Sequence, residues 1–155
     1  MHLKNRSILD GLGPTDLADD ARRMRAIVVF EDRPERSILR LLRAGFRHCF
    51  CIVGTHTEWT VCDPVKTRIE LVRLSGISEH NLVEHYRCGA RSALVGDVAP
   101  ARGSERIRLR AVSCVEVVKR IVNLDAGYVL TPFQLHRALL AAGFAHHGRI
   151  DKAKK

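Results

Sequence analysis

The stretch FRHCFCIV at residues 46–53 is followed by GTHT at 54–57 and EWTVCDPV at 58–65. The two outer runs are rich in aromatic, β-branched and other apolar residues, and a short polar segment containing Gly54 separates them. This pattern predicts two antiparallel strands joined by a hairpin loop, the second ending near Pro64, which cannot donate to a ladder. With residues 54–57 as the loop, Val53 faces Glu58, and counting back puts His48 directly opposite Asp63. Facing side chains on one side of an antiparallel pair have Cβ atoms about 4.5–5.5 Å apart. Asp63 is therefore expected to accept from one imidazole nitrogen of His48. The same count sets Cys49 opposite Cys62 on the other side of the hairpin. A one-residue slip would send every side chain to the wrong face, so the expectation depends on loop length.

The rest of the chain builds outward from this hairpin. RIELVRL at 68–74 alternates polar and apolar residues and predicts a third strand with one wet face. AIVVF at 26–30 predicts a short buried strand, and residues 93–98 and 106–112 predict two more, separated by a turn at 100–103. Helices are expected at 15–24, from Pro34 to about Arg43, at 79–86 behind a Ser78 cap, at 114–124, and from Pro132 to Ala142 behind Thr131. The predicted fold class is α+β: an antiparallel sheet of about five strands packed against the helices that begin at Cys114 and Thr131. Residues 1–25 form a polar N-terminal segment, 26–145 a single domain and 146–155 a basic tail.

A length of 155 residues suits one domain able to bury a core without disulfides. Lys and Arg number 26 against 17 Asp and Glu, a net charge of +9. Such a balance follows from the composition of a GC-rich genome or marks an anionic partner, whether nucleic acid, a phosphorylated ligand or an acidic protein surface. Aromatic residues at 5% argue against a base-stacking platform. The first residues, MHLKNRSILDGLG, lack the apolar run of a secretory signal, and no stretch reaches the roughly 18 apolar residues of a membrane span. Synthesis in the cytoplasm with free thiols is the expectation, and the odd total of five cysteines agrees with it.

Cys114 lies in the sequence Ser113-Cys114-Val115-Glu116. Ser followed three residues later by Glu is a capping-box pattern, which makes Ser113 the N-cap and Cys114 the first helical residue. The partial positive charge at a helix start favours a thiolate, and its amides can hold an oxyanion. A thiolate nucleophile needs an imidazole, and the imidazole an orienting group. Cys114, His48 and Asp63 are the candidates for these roles.

A strand bearing His, a strand ending in a polar residue, further strands and then Cys opening a helix: in this order the chain resembles the circularly permuted papain-like fold of NlpC-type hydrolases and the lecithin retinol acyltransferase group. The resemblance covers residues 44–142 and rests on FRHCFCIV, EWTVCDP, SCVEVVKRIV and TPFQLHRALL. It implies Cys114 as nucleophile, His48 as general base, Asp63 as orienter, no cofactor, and cleavage or transfer of acyl groups from a peptide, amide or ester substrate. The pattern also looks like small proteins encoded by tailed phages and prophages. That likeness implies a virion or tail location and a non-catalytic docking role as the alternative.

Other groupings compete. His48, Cys49, Cys51, His56 and Cys62 crowd the hairpin and raise the question of zinc, although the cysteines stand mid-strand rather than in close-spaced pairs at turns. A Cys49–Cys62 disulfide fits the expected register but not a reducing compartment. His80, His85 and Cys88 form a looser cluster on the 79–86 helix, and His146 and His147 begin the polar tail. Arg22, Arg23, Arg25 and Arg33 precede Arg36, Arg40 and Arg43, and the last three share one helix face. That face suits a protein neighbour in an assembly, or phosphates with a salt-dependent affinity.

Overall fold

A computed structural model describes residues 24–32, 41–55, 57–65, 68–88, 92–99 and 113–146. Strands β1 (Arg25–Glu31), β2 (His48–Thr55), β3 (Glu58–Val65) and β4 (Arg68–Ser75) lead to helix α1 (Glu79–Arg87) and strand β5 (Ser92–Asp97). Helices α2 (Cys114–Ile121) and α3 (Pro132–Ala141) follow, then a short strand β6 (Ala145–His146). The fold is α+β, with an open antiparallel sheet in the order β4-β3-β2-β1-β5-β6.

The unbroken apolar run of β1 is explained by its place in the middle of the sheet. Residues 26–30 are fully buried because both faces are covered. On one face Ala26, Val28 and Phe30 join Cys49, Cys51, Cys62 and Leu94 beneath Val115, Val118 and Val122 of the α2 region and Leu135 and Leu139 of α3. On the other, Ile27, Val29, Phe50, Ile52, Trp59 and Val61 pack against Leu82 and Val83 of α1. The sequence predicts α1 but not that it covers a face of its own. Burying one such aliphatic side chain stabilises by roughly 1.5–3 kcal/mol, so the two apolar layers account for the sheet's cohesion. Trp59 also donates its indole N–H to the Ile77 carbonyl at 2.9 Å, tying the approach to α1 onto β3.

The hairpin register differs from the expected one. Thr55, not Val53, pairs with Glu58, and the ladder continues as Gly54↔Trp59, Val53↔Thr60, Ile52↔Val61 and Cys51↔Cys62. Gly54 belongs to the strand rather than to the loop. A Cβ there would lie 2.0 Å from the Glu58 carbonyl oxygen, so glycine is what lets β3 close tightly over β2. Cys62 consequently faces Cys51 rather than Cys49. The displacement is by two residues, an even number, so every side chain keeps its predicted face.

Helix starts follow their caps. Ser78 accepts from the Asn81 amide, Ser113 from Glu116 and Thr131 from Gln134, the last as a reciprocal capping box with Pro132 in the first turn. Helix α2 stops at Ile121, short of the expected residue 124, and Asn123 takes a left-handed φ of 56° just beyond it. His146, expected in the polar tail, pairs with Leu94 on the sheet edge. Nearly all of the helices expected at 15–24 and from Pro34, and the whole of the strand at 106–112, lie outside the described residues. No helix among the described residues is long and apolar enough to cross a membrane.

Candidate active site

Helix α2 lies across β2 and β3 with its first residue over the end of β2. The β2–β3 ladder runs from Thr55↔Glu58 to Cys51↔Cys62. Cys49 is two residues past its last pair, and its backbone N–H donates to the Cys114 sulfur. The Cys49 thiol donates to the same sulfur, and His48 hydrogen-bonds it as well. His48 and Cys49 leave the strand on opposite sides, and the sulfur at the strand end touches both.

His48 Nε2 lies 2.8 Å from Asp63 Oδ1. Directly opposite in the expected register, the two residues are diagonal in the observed one, still on one face and within reach of each other. Both are buried, and the imidazole stacks on Phe50 at a centroid distance of 6.4 Å. With Nε2 engaged by Asp63, Nδ1 is left for the sulfur. The structure thus brings Cys114, His48 and Asp63 into one continuous chain of contacts.

The electrostatics follow from these contacts. Cys114 is lowered to about 4: the hydrogen bond from the Cys49 thiol contributes most, burial opposes it, and His48 and the Cys49 amide add to the lowering. The helix start acts in the same direction. Burial works against a charged His48, but its hydrogen bonds to Cys114 and Asp63 outweigh burial and raise its pKa. Both shifts favour a thiolate beside an imidazolium, each charge supporting the other. Burial, and then donation to Cys114, push the Cys49 thiol far up, so it keeps its proton.

The first intrahelical bond of α2 is Val117 N–H to the Ser113 carbonyl. The amides of Cys114 and Val115 therefore precede the helical ladder and point out of its start, where an oxyanion would form. Lys119 holds the helix in place. Its buried ammonium donates to the carbonyls of Ala126 and Val129, both at 3.1 Å, and pairs with Glu116 at 2.8 Å. Sequence reasoning missed Lys119, although Glu116 three residues earlier is a local signal for such a pair. It also missed Cys49 as a partner of Cys114, a contact set by where a distant helix lands.

The competing groupings separate. Cys51 donates to the Cys62 sulfur, which is lowered to about 7 by that hydrogen bond against the opposing effect of burial. All cysteines are free thiols. Among the described residues no three His, Cys, Asp or Glu side chains are grouped so as to hold a metal ion, and His56 lies outside them. His80, His85 and Cys88 are exposed on and after α1. Arg43 packs over the Phe133 ring at 4.1 Å, and Arg25 pairs with Glu79 and Asp97, each at 2.8 Å. Arg22, Arg23, Arg33, Arg36 and Arg40 lie outside the described residues. No protein-family model, curated protein or solved structure matches the chain.

Proposed function

We propose that the chain is a cysteine hydrolase or acyltransferase acting on an amide, peptide or ester bond, on a circularly permuted papain-like fold. The observation that carries this reading is the contact chain from Cys114 through His48 to Asp63 at the start of a helix. The Cys114 thiolate attacks the substrate carbonyl, and the oxyanion of the tetrahedral intermediate faces the amides at the start of α2. His48 gives its proton to the leaving nitrogen or oxygen as the acyl-enzyme forms. It then takes a proton from water, or from an acceptor alcohol or amine, which attacks the acyl-enzyme and releases Cys114. Asp63 keeps the imidazole turned toward the sulfur through both steps.

The test is the pH dependence of Cys114 alkylation by iodoacetamide, followed by intact mass, with Cys114→Ser as site control. Fast modification already at pH 5–6, slowed in His48→Ala, supports the reading and justifies a screen of peptide, amide and ester substrates. Slow modification that His48→Ala leaves unchanged overturns it.

A second reading is a non-catalytic docking component of an assembly such as a phage tail. One observation favours it: the edge strand β4 leaves Ile69, Leu71 and Val72 exposed, and an edge of this kind can receive a partner strand. In that case Cys114 is inert and the chain co-purifies with its assembly.

A further inference from the structure

Cys49 has no part in the acyl chemistry beyond its hydrogen bonds, yet it is a fully buried thiol in contact with the nucleophile. Its relative exposure is 0%. It packs in the same apolar cluster that Cys114 joins at the start of α2, and its thiol hydrogen points at the Cys114 sulfur. A sulfur so placed is closed to solutes and open to one neighbour. Cys114 is half-buried and reachable, and thiolates of this kind are the ones that hydroperoxides oxidise.

We infer that Cys49 is a resolving thiol for Cys114, and that a hydroperoxide converts the pair reversibly to a Cys49–Cys114 disulfide. The Cys114 thiolate attacks one peroxide oxygen, and the O–O bond breaks. The departing oxygen takes a proton from the His48 imidazolium and leaves as an alcohol, or as water from hydrogen peroxide. Cys114 then carries a sulfenic acid. The Cys49 sulfur attacks the Cys114 sulfur, the S–O bond breaks, and the hydroxide released takes the Cys49 proton to leave as water. Two thiols are oxidised by two electrons and one peroxide is reduced. A dithiol reductant reverses the step by exchange. The disulfide removes the nucleophile but shields it from irreversible oxidation to the sulfinic acid.

The inference shares with the proposed function the Cys114 thiolate and the proton on His48, and it stands whether or not that thiolate performs acyl transfer. The full-length protein is treated with one equivalent of hydrogen peroxide, quenched with iodoacetamide and mapped without reduction. Cys49, Cys51 and Cys62 fall on one tryptic peptide, because no Lys or Arg lies between His48 and Val65. Fragmentation within that peptide, and the parallel variants Cys51→Ala and Cys62→Ala, assign the bond. The expected result is a Cys49–Cys114 link in wild type and in both of those variants, removed by dithiothreitol with return of Cys114 alkylation. Cys49→Ser should instead give a dimedone adduct at Cys114 and, with excess peroxide, a sulfinic acid that dithiothreitol does not reverse. Sulfinic acid at Cys114 of wild type without the link, or a link confined to Cys51 and Cys62, overturns the inference. If Cys114 of untreated protein alkylates fast but no link forms, the acyl reading survives and this one fails. If it neither alkylates nor oxidises, both fail. The wild-type map decides even if Cys49→Ser does not fold.

Discussion

Two pairs of cysteines share one face of the sheet, a strand's step apart, and their surroundings give them opposite characters. Cys51 and Cys62 face each other across β2 and β3, both buried in the apolar layer beneath the helices, with the Thr60 carbonyl 4.0 Å from the Cys62 sulfur. The hydrogen bond from Cys51 lowers Cys62 to about 7 against burial, while that bond and burial push Cys51 up. Cys49 and Cys114 also share a hydrogen bond, but Cys114 adds His48, a backbone amide and a helix start, and it is lowered to about 4. Pairing thiols localises one proton. Lowering Cys114 further takes the His48 imidazole and the Cys49 amide as well.

The largest effect expected on this contrast is from Cys114→Ser. It should lower turnover of any substrate found by on the order of 10⁴-fold or more, with alkylation at the site lost and Cys62 reactivity unchanged, as read by peptide mapping. His48→Ala comes next. Loss of the acid–base group should cost about 10²–10⁴-fold in kcat, and the midpoint of Cys114 alkylation should rise from about 4 toward the ordinary thiol range. Wild-type turnover needs thiolate and imidazolium together. Its rising limb therefore tracks Cys114 near pH 4, and its falling limb lies above 6.5, because the His48 pKa is raised and its proton is lost only as pH climbs past that raised value. A kcat/KM profile that instead rises from pH 7 upward would break the comparison.

Asp63→Ala should cost about 10–100-fold in kcat/KM, the worth of a hydrogen bond to a charged group of roughly 1.5–3 kcal/mol. Asp63→Asn should cost less, since its carbonyl still accepts from a doubly protonated ring. Equal losses in the two variants would mean that the charge of Asp63, rather than its position, matters. The smallest effect is expected in the sheet pair. Cys51→Val should change stability by less than about 1.5 kcal/mol in urea unfolding and leave the alkylation profile of Cys114 where it was.

Much of this site can be read from the sequence because strand alternation is robust. His48 and Asp63 share a face under any even shift of the hairpin, so assigning Gly54 to the loop moved the partners but not their side. The Ser113 cap is equally local, and it fixes Cys114 at the helix start. What could not be read depends on how elements meet. The Cys49–Cys114 contact requires knowing where α2 crosses β2, and Cys49 carries no local mark of it. Lys119 looks like a solvated position on its helix, and only the carbonyls of Ala126 and Val129, turned back beneath it, make it a buried anchor. The second apolar layer was hidden for a similar reason. The run at 26–30 shows that β1 is buried, but not which element covers each side.

β1 is the first described strand in the chain and an interior one in space. It is hydrogen-bonded to β2 on one side and to β5 on the other, and Arg25 reaches Asp97 across 72 residues. β2, β3 and β4 can form as a meander of neighbouring hairpins at small loop-closure cost, whereas β1 gains its second neighbour only after the chain has passed through α1. Assembly should thus begin at the hairpin that carries His48 and Asp63 and end with β5 sealing β1. In the finished molecule the amides of β1 should exchange with solvent only when the whole sheet opens, while those at the β4 and β6 edges exchange by local fraying.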